Sequence, residues 1–137
     1  MIARLLVAAG SGIVFILGSL HLLYTFYGPK LQPRDPKLIE QMRAVHPVIT
    51  RETSIWDCWI GFNATHSMGL MLFGLIYGWF ALQQPALLLD SPFLMGLALV
   101  TLAACVLLAR RYFFSVPFAG VCVAFACFIA ALLVSGK

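Results

Sequence analysis

The chain contains 137 residues, of which 62% are hydrophobic and 10% are charged, and its formal net charge is +4. A water-soluble domain of this length cannot bury so much apolar surface, since a large part of its residues must face solvent. The composition therefore excludes a soluble globular domain and indicates an integral membrane protein. Because the basic residues form no extended face, the sequence also argues against a nucleic-acid partner.

Four long apolar runs predict four membrane-spanning helices, at about 2–27, 54–82, 92–110 and 116–135. Each run is near or above the ~20 residues that a helix needs to cross a bilayer core about 30 Å thick. The runs are continuous and lack the alternation that is typical of barrel strands. We therefore predict an all-α fold, an integral membrane four-helix antiparallel bundle that forms a single transmembrane domain over residues 1–137.

The first run is longer than the ~7–15 apolar residues of a signal peptide, so we expect it to be a true spanning helix. Gly10, Val14 and Gly18 form a stripe of small residues on this helix, and His21 and Thr25 continue the same stripe. Small residues allow helices to approach closely in lipid. We therefore expect His21 to face the interior of the bundle.

The connection between the first two runs is the only sizeable polar segment. Asp35 followed by Pro36 is typical of a helix start, with a capping side chain before a proline in the first turn. Apolar residues then recur at helical spacing, with charged and polar residues on the other face. We predict a short amphipathic helix at about 36–45 that lies in the cytoplasmic membrane interface.

The second run begins with Ser54 and Asp57, whose spacing predicts a capping box, and its far half carries Gly69, Gly74 and Gly78 for close packing. The third and fourth runs contain few polar residues and are interpreted as packing scaffold. The four cysteines show no Cys-x-x-Cys spacing and are interpreted as free thiols: Cys58, Cys105, Cys122 and Cys127.

The distribution of basic residues predicts the orientation of the chain. Seven basic residues lie in the first and third connections, whereas only Arg4 and Lys137 lie on the opposite side. The positive-inside rule then places these two connections in the cytoplasm and both termini in the periplasm. Contact with anionic membrane lipids is the simplest further role for this charge. The seven residues are Lys30, Arg34, Lys37, Arg43, Arg51, Arg110 and Arg111.

Two histidines inside the apolar runs are the strongest indication of chemistry. His21 lies roughly 9 Å below the membrane boundary marked by Tyr27, and His66 lies roughly 10 Å below the boundary marked by Trp59, at ~1.5 Å per helical residue. The two imidazoles are therefore expected at one level on neighbouring helices. Asn63 shares a helix face with His66, three residues away.

Strongly polar residues at this depth usually face the bundle interior or a water-filled cavity. We therefore predict a pocket that opens toward the cytoplasm near Arg51 and binds a small molecule or a lipid headgroup. Arg43, Arg51, Arg110 and Arg111 would attract an anionic group to it. In this reading the protein serves as a binding component or accessory subunit. The predicted ligand-binding residues are His21, Tyr24, Thr25, Arg51, Asn63 and His66.

Other interpretations of the same residues stay open. The polar groups would also suit a purely structural network between helices. Two level histidines would suit the axial ligands of a b-type haem, and a divalent metal such as catalytic zinc would need His46 as a third protein ligand beside His21 and His66. The Glu-x-x-His pairs of di-iron proteins are absent, since this chain has Asn63-x-x-His66.

A membrane-embedded enzyme without metal is the remaining alternative. In size and layout the chain is similar to the four-helix membrane enzymes of eicosanoid and glutathione metabolism. It lacks their arginine three residues before Asn63 and their glutamate three residues after it. Helices with many small residues pack well within one chain or between subunits, so a homo-oligomer or a larger membrane complex is also compatible with the sequence.

The segment from Thr50 to Gly74, together with Pro33–Pro36 and His21–Phe26, resembles a family of small bacterial four-helix membrane proteins. These proteins share a Gly-Phe-Asn-x-Ser/Thr-His-Ser run, which this chain carries at residues 61–67. The resemblance covers most of the chain. It implies the fold class and a location in the bacterial inner membrane, and it implies no reaction.

Overall fold

The computed structural model describes residues 1–136, and helices are the regular secondary structure of this part of the chain. This part of the chain contains six helices and no strand, which confirms the predicted all-α class. The helices are α1 (Ile2–Phe26), α2 (Pro36–Ala44), α3 (Ile55–Gln83), α4 (Pro85–Asp90), α5 (Pro92–Tyr112) and α6 (Ser115–Val134).

Within the described residues, α1, α3, α5 and α6 are the four helices long and apolar enough to cross a membrane. Only 22–28% of the residues in their most apolar windows are buried inside the protein, although these windows are strongly hydrophobic. Apolar side chains that remain exposed on a folded chain need an apolar solvent, and a bilayer supplies it. These helices make the protein a membrane-spanning one.

Helix α4 was not expected from the sequence, which predicted a simple connection between the second and third runs. Pro85 ends the preceding run, but it also occupies the first turn of α4, where its missing N–H costs nothing. Leu88 on this helix is fully buried. Ser91 then caps α5, since its Oγ accepts a hydrogen bond from the Leu94 N–H at 3.2 Å.

The chain divides into two compact units, of which the first comprises residues 1–17 and the residues from 70 onward. In this unit α1 runs antiparallel to α6, since Gly10 lies against Phe128 whereas Leu17 lies against Gly120. Helices α5 and α6 are joined by only two residues and form an antiparallel hairpin. The largest fully buried hydrophobic side chains in this unit are Phe128, Leu88, Leu102, Val7 and Val14.

The second unit comprises residues 18–69, which include the end of α1, all of α2 and the first half of α3. Asp35 caps α2 as predicted, because its side chain accepts a hydrogen bond from the Lys37 N–H at 3.0 Å. After α2, the carbonyl of Val45 accepts a hydrogen bond from the N–H of Ile55 at 2.9 Å. This bond connects the end of α2 to the start of α3.

The predicted capping box at the start of α3 is also confirmed. The Asp57 N–H donates to Ser54 Oγ at 3.1 Å, and Ser54 Oγ donates in turn to Asp57 Oδ2 at 2.6 Å. The Ser54 N–H reaches the same carboxylate oxygen at 3.4 Å. These reciprocal bonds satisfy backbone donors that would otherwise have no partner in the first turn.

Candidate functional site

His21, Asn63 and His66 form a polar cluster between α1 and α3, within the second unit. His21 Nε2 lies 2.9 Å from Asn63 Oδ1, and the rings of His21 and His66 meet edge to face with their centroids 5.4 Å apart. The two imidazoles therefore lie at one level and face each other, as the helical rise along each run predicts. We call these three residues the imidazole cluster.

The orientation of the Asn63 side chain is set by its own helix. Asn63 Nδ2 donates to the Trp59 carbonyl at 2.7 Å, and a carbonyl only accepts hydrogen bonds. The amide oxygen is thereby directed to His21. Since this oxygen also only accepts, His21 Nε2 must carry the proton of the bond between them.

Nearby hydroxyl groups support the cluster through their own helices. Ser67 is fully buried and donates to the Asn63 carbonyl at 2.8 Å, while Thr25 donates to the His21 carbonyl at 2.8 Å. Phe62 lies nearly parallel to the His66 ring, with the ring centroids 6.5 Å apart. Thr25 thus contacts the backbone of a cluster residue, and its hydroxyl is not directed at the imidazoles.

Tyr24 and Arg51, two other predicted ligand-binding residues, lie at the end of α1 and in the segment between α2 and α3. The ammonium of Lys30 lies 4.0 Å from the centroid of the Tyr24 ring, which is a cation–π contact at the end of α1. Arg51 is exposed in the segment between α2 and α3. Arg51 lies in an irregular segment, so helical periodicity could not position it, whereas Tyr24 lies on α1. Their assignment as ligand-binding residues stays a prediction.

His46 was considered as a third metal ligand beside His21 and His66. It lies instead after α2, where its Nδ1 donates to the Thr53 carbonyl at 2.8 Å. Over residues 1–136 there is no group of three or more His, Cys, Asp or Glu side chains placed to hold a metal ion. The three-histidine arrangement needed for the zinc alternative is therefore not formed.

A second polar feature of this unit was missed by the sequence analysis. An open groove of about 550 Å³ lies between the end of α2 and the start of α3. The guanidinium of Arg43 lies over the Trp56 ring on this groove, 5.3 Å from the ring centroid. The only available signal was the concentration of charged residues around the capping box. The groove is lined by Arg43, His46, Glu52, Thr53, Ser54, Trp56 and Asp57.

The imidazole cluster offers two kinds of chemistry. Imidazole and amide groups donate and accept hydrogen bonds, so they suit the recognition of a polar group that enters from the membrane interface. Imidazole nitrogen is also a common ligand of haem iron and of divalent metals. No protein-family model, curated protein or solved structure matches this chain.

Proposed function

We propose that this protein binds a small molecule or a lipid headgroup within the membrane, with the imidazole cluster as its recognition element. In this proposal it acts as a binding component or accessory subunit. The observation that carries the proposal is the meeting of His21 and His66, edge to face and 5.4 Å apart, between two helices long enough to span a bilayer.

A purely structural link between two helices needs only a hydrogen bond between them. A single interhelical hydrogen bond in a membrane stabilises a protein by about 0.6 kcal/mol on average. The bond between His21 and Asn63 already provides such a link. His66 places a second imidazole beside this link, and ionisable residues at membrane depth are usually functional. Two imidazoles at one level therefore favour a recognition site over a single structural bond.

The setting is part of the proposal. We infer a bacterial inner-membrane protein with both termini in the periplasm, because basic residues concentrate in the first and third connections. In that orientation the second unit faces the cytoplasmic leaflet. Anionic lipids are enriched there, and the basic residues of the first connection attract them.

A cofactor-binding protein is the second candidate, favoured by two imidazoles that come from different helices and meet edge to face. A haem held by two histidines would take one imidazole nitrogen from His21 and one from His66. His21 would have to exchange its bond to Asn63 for iron. A visible spectrum and a metal analysis of the purified protein separate this candidate from the first: a Soret band lost in both His21→Ala and His66→Ala supports haem, whereas a colourless, metal-free protein overturns it.

The main proposal is tested by identifying what copurifies with the protein. Wild type is purified in a mild detergent, and organic extracts are analysed by mass spectrometry against His66→Phe and Asn63→Leu. Thr65→Val is the matched control, because Thr65 lies on the same helix and its hydroxyl bonds only to backbone carbonyls of that helix. We expect a species close to one per protein in wild type and control, and its loss in the two cluster variants.

Circular dichroism and gel filtration establish that each variant remains folded. His66→Gln provides a second variant that keeps a hydrogen-bonding side chain and is expected to retain part of the ligand. Wild type without any stoichiometric species, or equal amounts in wild type and in folded His66→Phe, would contradict the proposal and leave the cluster with a structural role.

A further inference from the structure

We propose that the groove between α2 and α3 binds the headgroup of a phospholipid that carries a primary ammonium group, as phosphatidylethanolamine does. Arg43 would hold the phosphate, while Glu52, Asp57 and His46 would surround the ammonium. This site is distinct from the imidazole cluster, so the inference stands independently of the function proposed above.

The groove has the size and the position for such a ligand. Its volume of about 550 Å³ falls within the range of roughly 300–1,000 Å³ that is typical of small-molecule sites. Trp56 belongs to the first turn of α3, which continues as a membrane-spanning helix. Tryptophan is enriched where lipid headgroups meet the hydrocarbon core, so we expect the groove to open at headgroup level.

The charges in the groove are of both signs, which favours a zwitterion over a simple anion. Arg43 contributes a positive charge that is held in place over the Trp56 ring, with 5.3 Å between the guanidinium carbon and the ring centroid. Guanidinium groups pair well with phosphate oxygens. Glu52 and Asp57 contribute two carboxylates to the same groove, and these would repel a second anionic group.

His46 indicates what kind of cation the groove accommodates. Its Nδ1 donates to the Thr53 carbonyl at 2.8 Å, which fixes the ring and leaves Nε2 as an acceptor in the neutral imidazole. Glu52, Asp57 and His46 together then offer three acceptors. A primary ammonium has three N–H donors, whereas a quaternary ammonium such as choline has none. The groove therefore matches ethanolamine and discriminates against choline.

The test measures headgroup preference. Protein is reconstituted in nanodiscs that contain equal amounts of phosphatidylethanolamine and phosphatidylcholine with identical acyl chains, and retained lipids are counted by native mass spectrometry. We expect about ten times more ethanolamine lipid than choline lipid to be retained, because charge-assisted hydrogen bonds to the primary ammonium stabilise the bound ethanolamine lipid. Glu52→Gln should reduce this preference about fivefold or more, whereas Arg43→Gln should reduce the retention of both lipids, because both carry the phosphate.

Two control variants match these charge changes outside the groove. Lys37→Gln and Glu40→Gln alter exposed residues of α2 that do not line it, and both should retain the wild-type preference. Asp57 is left unchanged because it also caps α3. Equal retention of the two lipids in wild type would overturn the proposal. A change in lipid retention in the control variants as large as that in the groove variants would also overturn it.

A third arm distinguishes the lipid from its soluble headgroup. Free phosphoethanolamine is added to the nanodiscs at millimolar concentration. Partial displacement of the ethanolamine lipid supports recognition of the headgroup itself. Tight binding of free phosphoethanolamine without any lipid preference would overturn the assignment to a membrane lipid. If phosphatidylglycerol were retained as well as phosphatidylethanolamine, the role assigned to the Glu52 and Asp57 carboxylates would be overturned.

Discussion

The amide of Asn63 connects the backbone of α3 to the imidazole of His21, with its nitrogen 2.7 Å from the Trp59 carbonyl and its oxygen 2.9 Å from His21 Nε2. The Trp59 carbonyl can only accept a hydrogen bond, so the NH₂ group of Asn63 must donate to it. The amide oxygen of Asn63, which can only accept, then faces His21. The proton between the two side chains must therefore come from histidine. The Trp59 carbonyl on α3 thus determines which nitrogen of the His21 ring on α1 carries the proton.

The first prediction concerns this proton. Nitrogen-15 NMR of histidine-labelled protein should show a protonated Nε2 in His21, because Asn63 Oδ1 has no proton to donate. In Asn63→Leu the His21 ring should lose this bond and its Nε2 signal should shift, whereas Thr65→Val should leave it unchanged. A neutral His21 with its proton only on Nδ1 would show that the amide has the opposite orientation.

The second prediction concerns the energy of the same bond. A double-mutant cycle with His21→Leu and Asn63→Leu should give a coupling free energy of about 0.6 kcal/mol, and at most about 1.7 kcal/mol, as is usual for hydrogen bonds between membrane helices. The free energy of unfolding is measured in mixed detergent micelles. A coupling indistinguishable from zero would show that the bond does not stabilise the folded protein.

Asn63→Asp provides a sharper variant for the same question. A carboxylate accepts hydrogen bonds but cannot donate to the Trp59 carbonyl, so the change should destabilise the protein more than Asn63→Leu does. The cause is repulsion between the carboxylate and the Trp59 carbonyl, together with desolvation of a charge at a position only 7% exposed, which the remaining bond from His21 offsets in part. Equal stability of the two variants would indicate that position 63 is hydrated.

The third prediction concerns the contact between α1 and α3 in the first unit. A Cβ at Gly74 would lie 2.7 Å from the Ser11 carbonyl oxygen and 2.9 Å from the Phe15 backbone nitrogen. These are backbone atoms of a neighbouring helix, so Gly74→Ala must push the helices apart. We expect it to reduce the free energy of unfolding by about 1–3 kcal/mol.

Two other glycines serve as controls for Gly74→Ala, measured by the same unfolding assay. A Cβ at Gly69 would meet nothing within 4 Å, so Gly69→Ala should be neutral or slightly stabilising. A Cβ at Gly120 would meet only the movable end of the Leu17 side chain, so its effect should be intermediate. If all three variants had the same stability, close backbone packing at Gly74 would be refuted.

The fourth prediction concerns Tyr77, which is 5% exposed and donates its hydroxyl to the Leu94 carbonyl at 2.9 Å. Tyr77→Phe keeps the ring against Phe73 and Phe128 but removes this bond. We expect a loss of about 0.5–1.5 kcal/mol in the free energy of unfolding. Tyr112→Phe, at an exposed position, should have no effect, and equal effects of both changes would contradict the role of the bond.

Much of the fold could be predicted because the membrane imposes a simple rule. Helix length and continuous hydrophobicity define a spanning helix. The observed bounds of the four long helices lie within two residues of the expected ones. Helix α4 escaped prediction because it has only six residues, and its Pro85 is typical both of a helix end and of a helix start.

The candidate site was partly predictable for a related physical reason. His21 and His66 lie on helices, where a fixed rise converts residue number into depth, so their meeting could be calculated. The groove involves Arg43 and Trp56, which lie on two helices joined by an irregular segment. The path of such a segment depends on individual bonds, such as that from His46 to Thr53, which no periodic pattern reveals.

The last prediction concerns orientation. Gln83 ends α3 and Lys37 lies on α2, near the opposite end of the same spanning helix. Single cysteines at these positions, in a variant whose four native cysteines are replaced, are labelled with a membrane-impermeant maleimide in intact bacterial spheroplasts and in inverted vesicles. Because basic residues favour the cytoplasmic side, Gln83→Cys should react only in spheroplasts and Lys37→Cys only in inverted vesicles.

Each outcome of this labelling has a distinct meaning. The reverse pattern would invert the proposed topology and place the groove and the imidazole cluster on the periplasmic side. Labelling of both positions from one side would contradict a membrane-spanning α3. Removing positive charge provides an independent control. Replacing Arg110 and Arg111 by glutamine weakens the preference of the third connection for the cytoplasmic side, so a minor population with inverted labelling should appear.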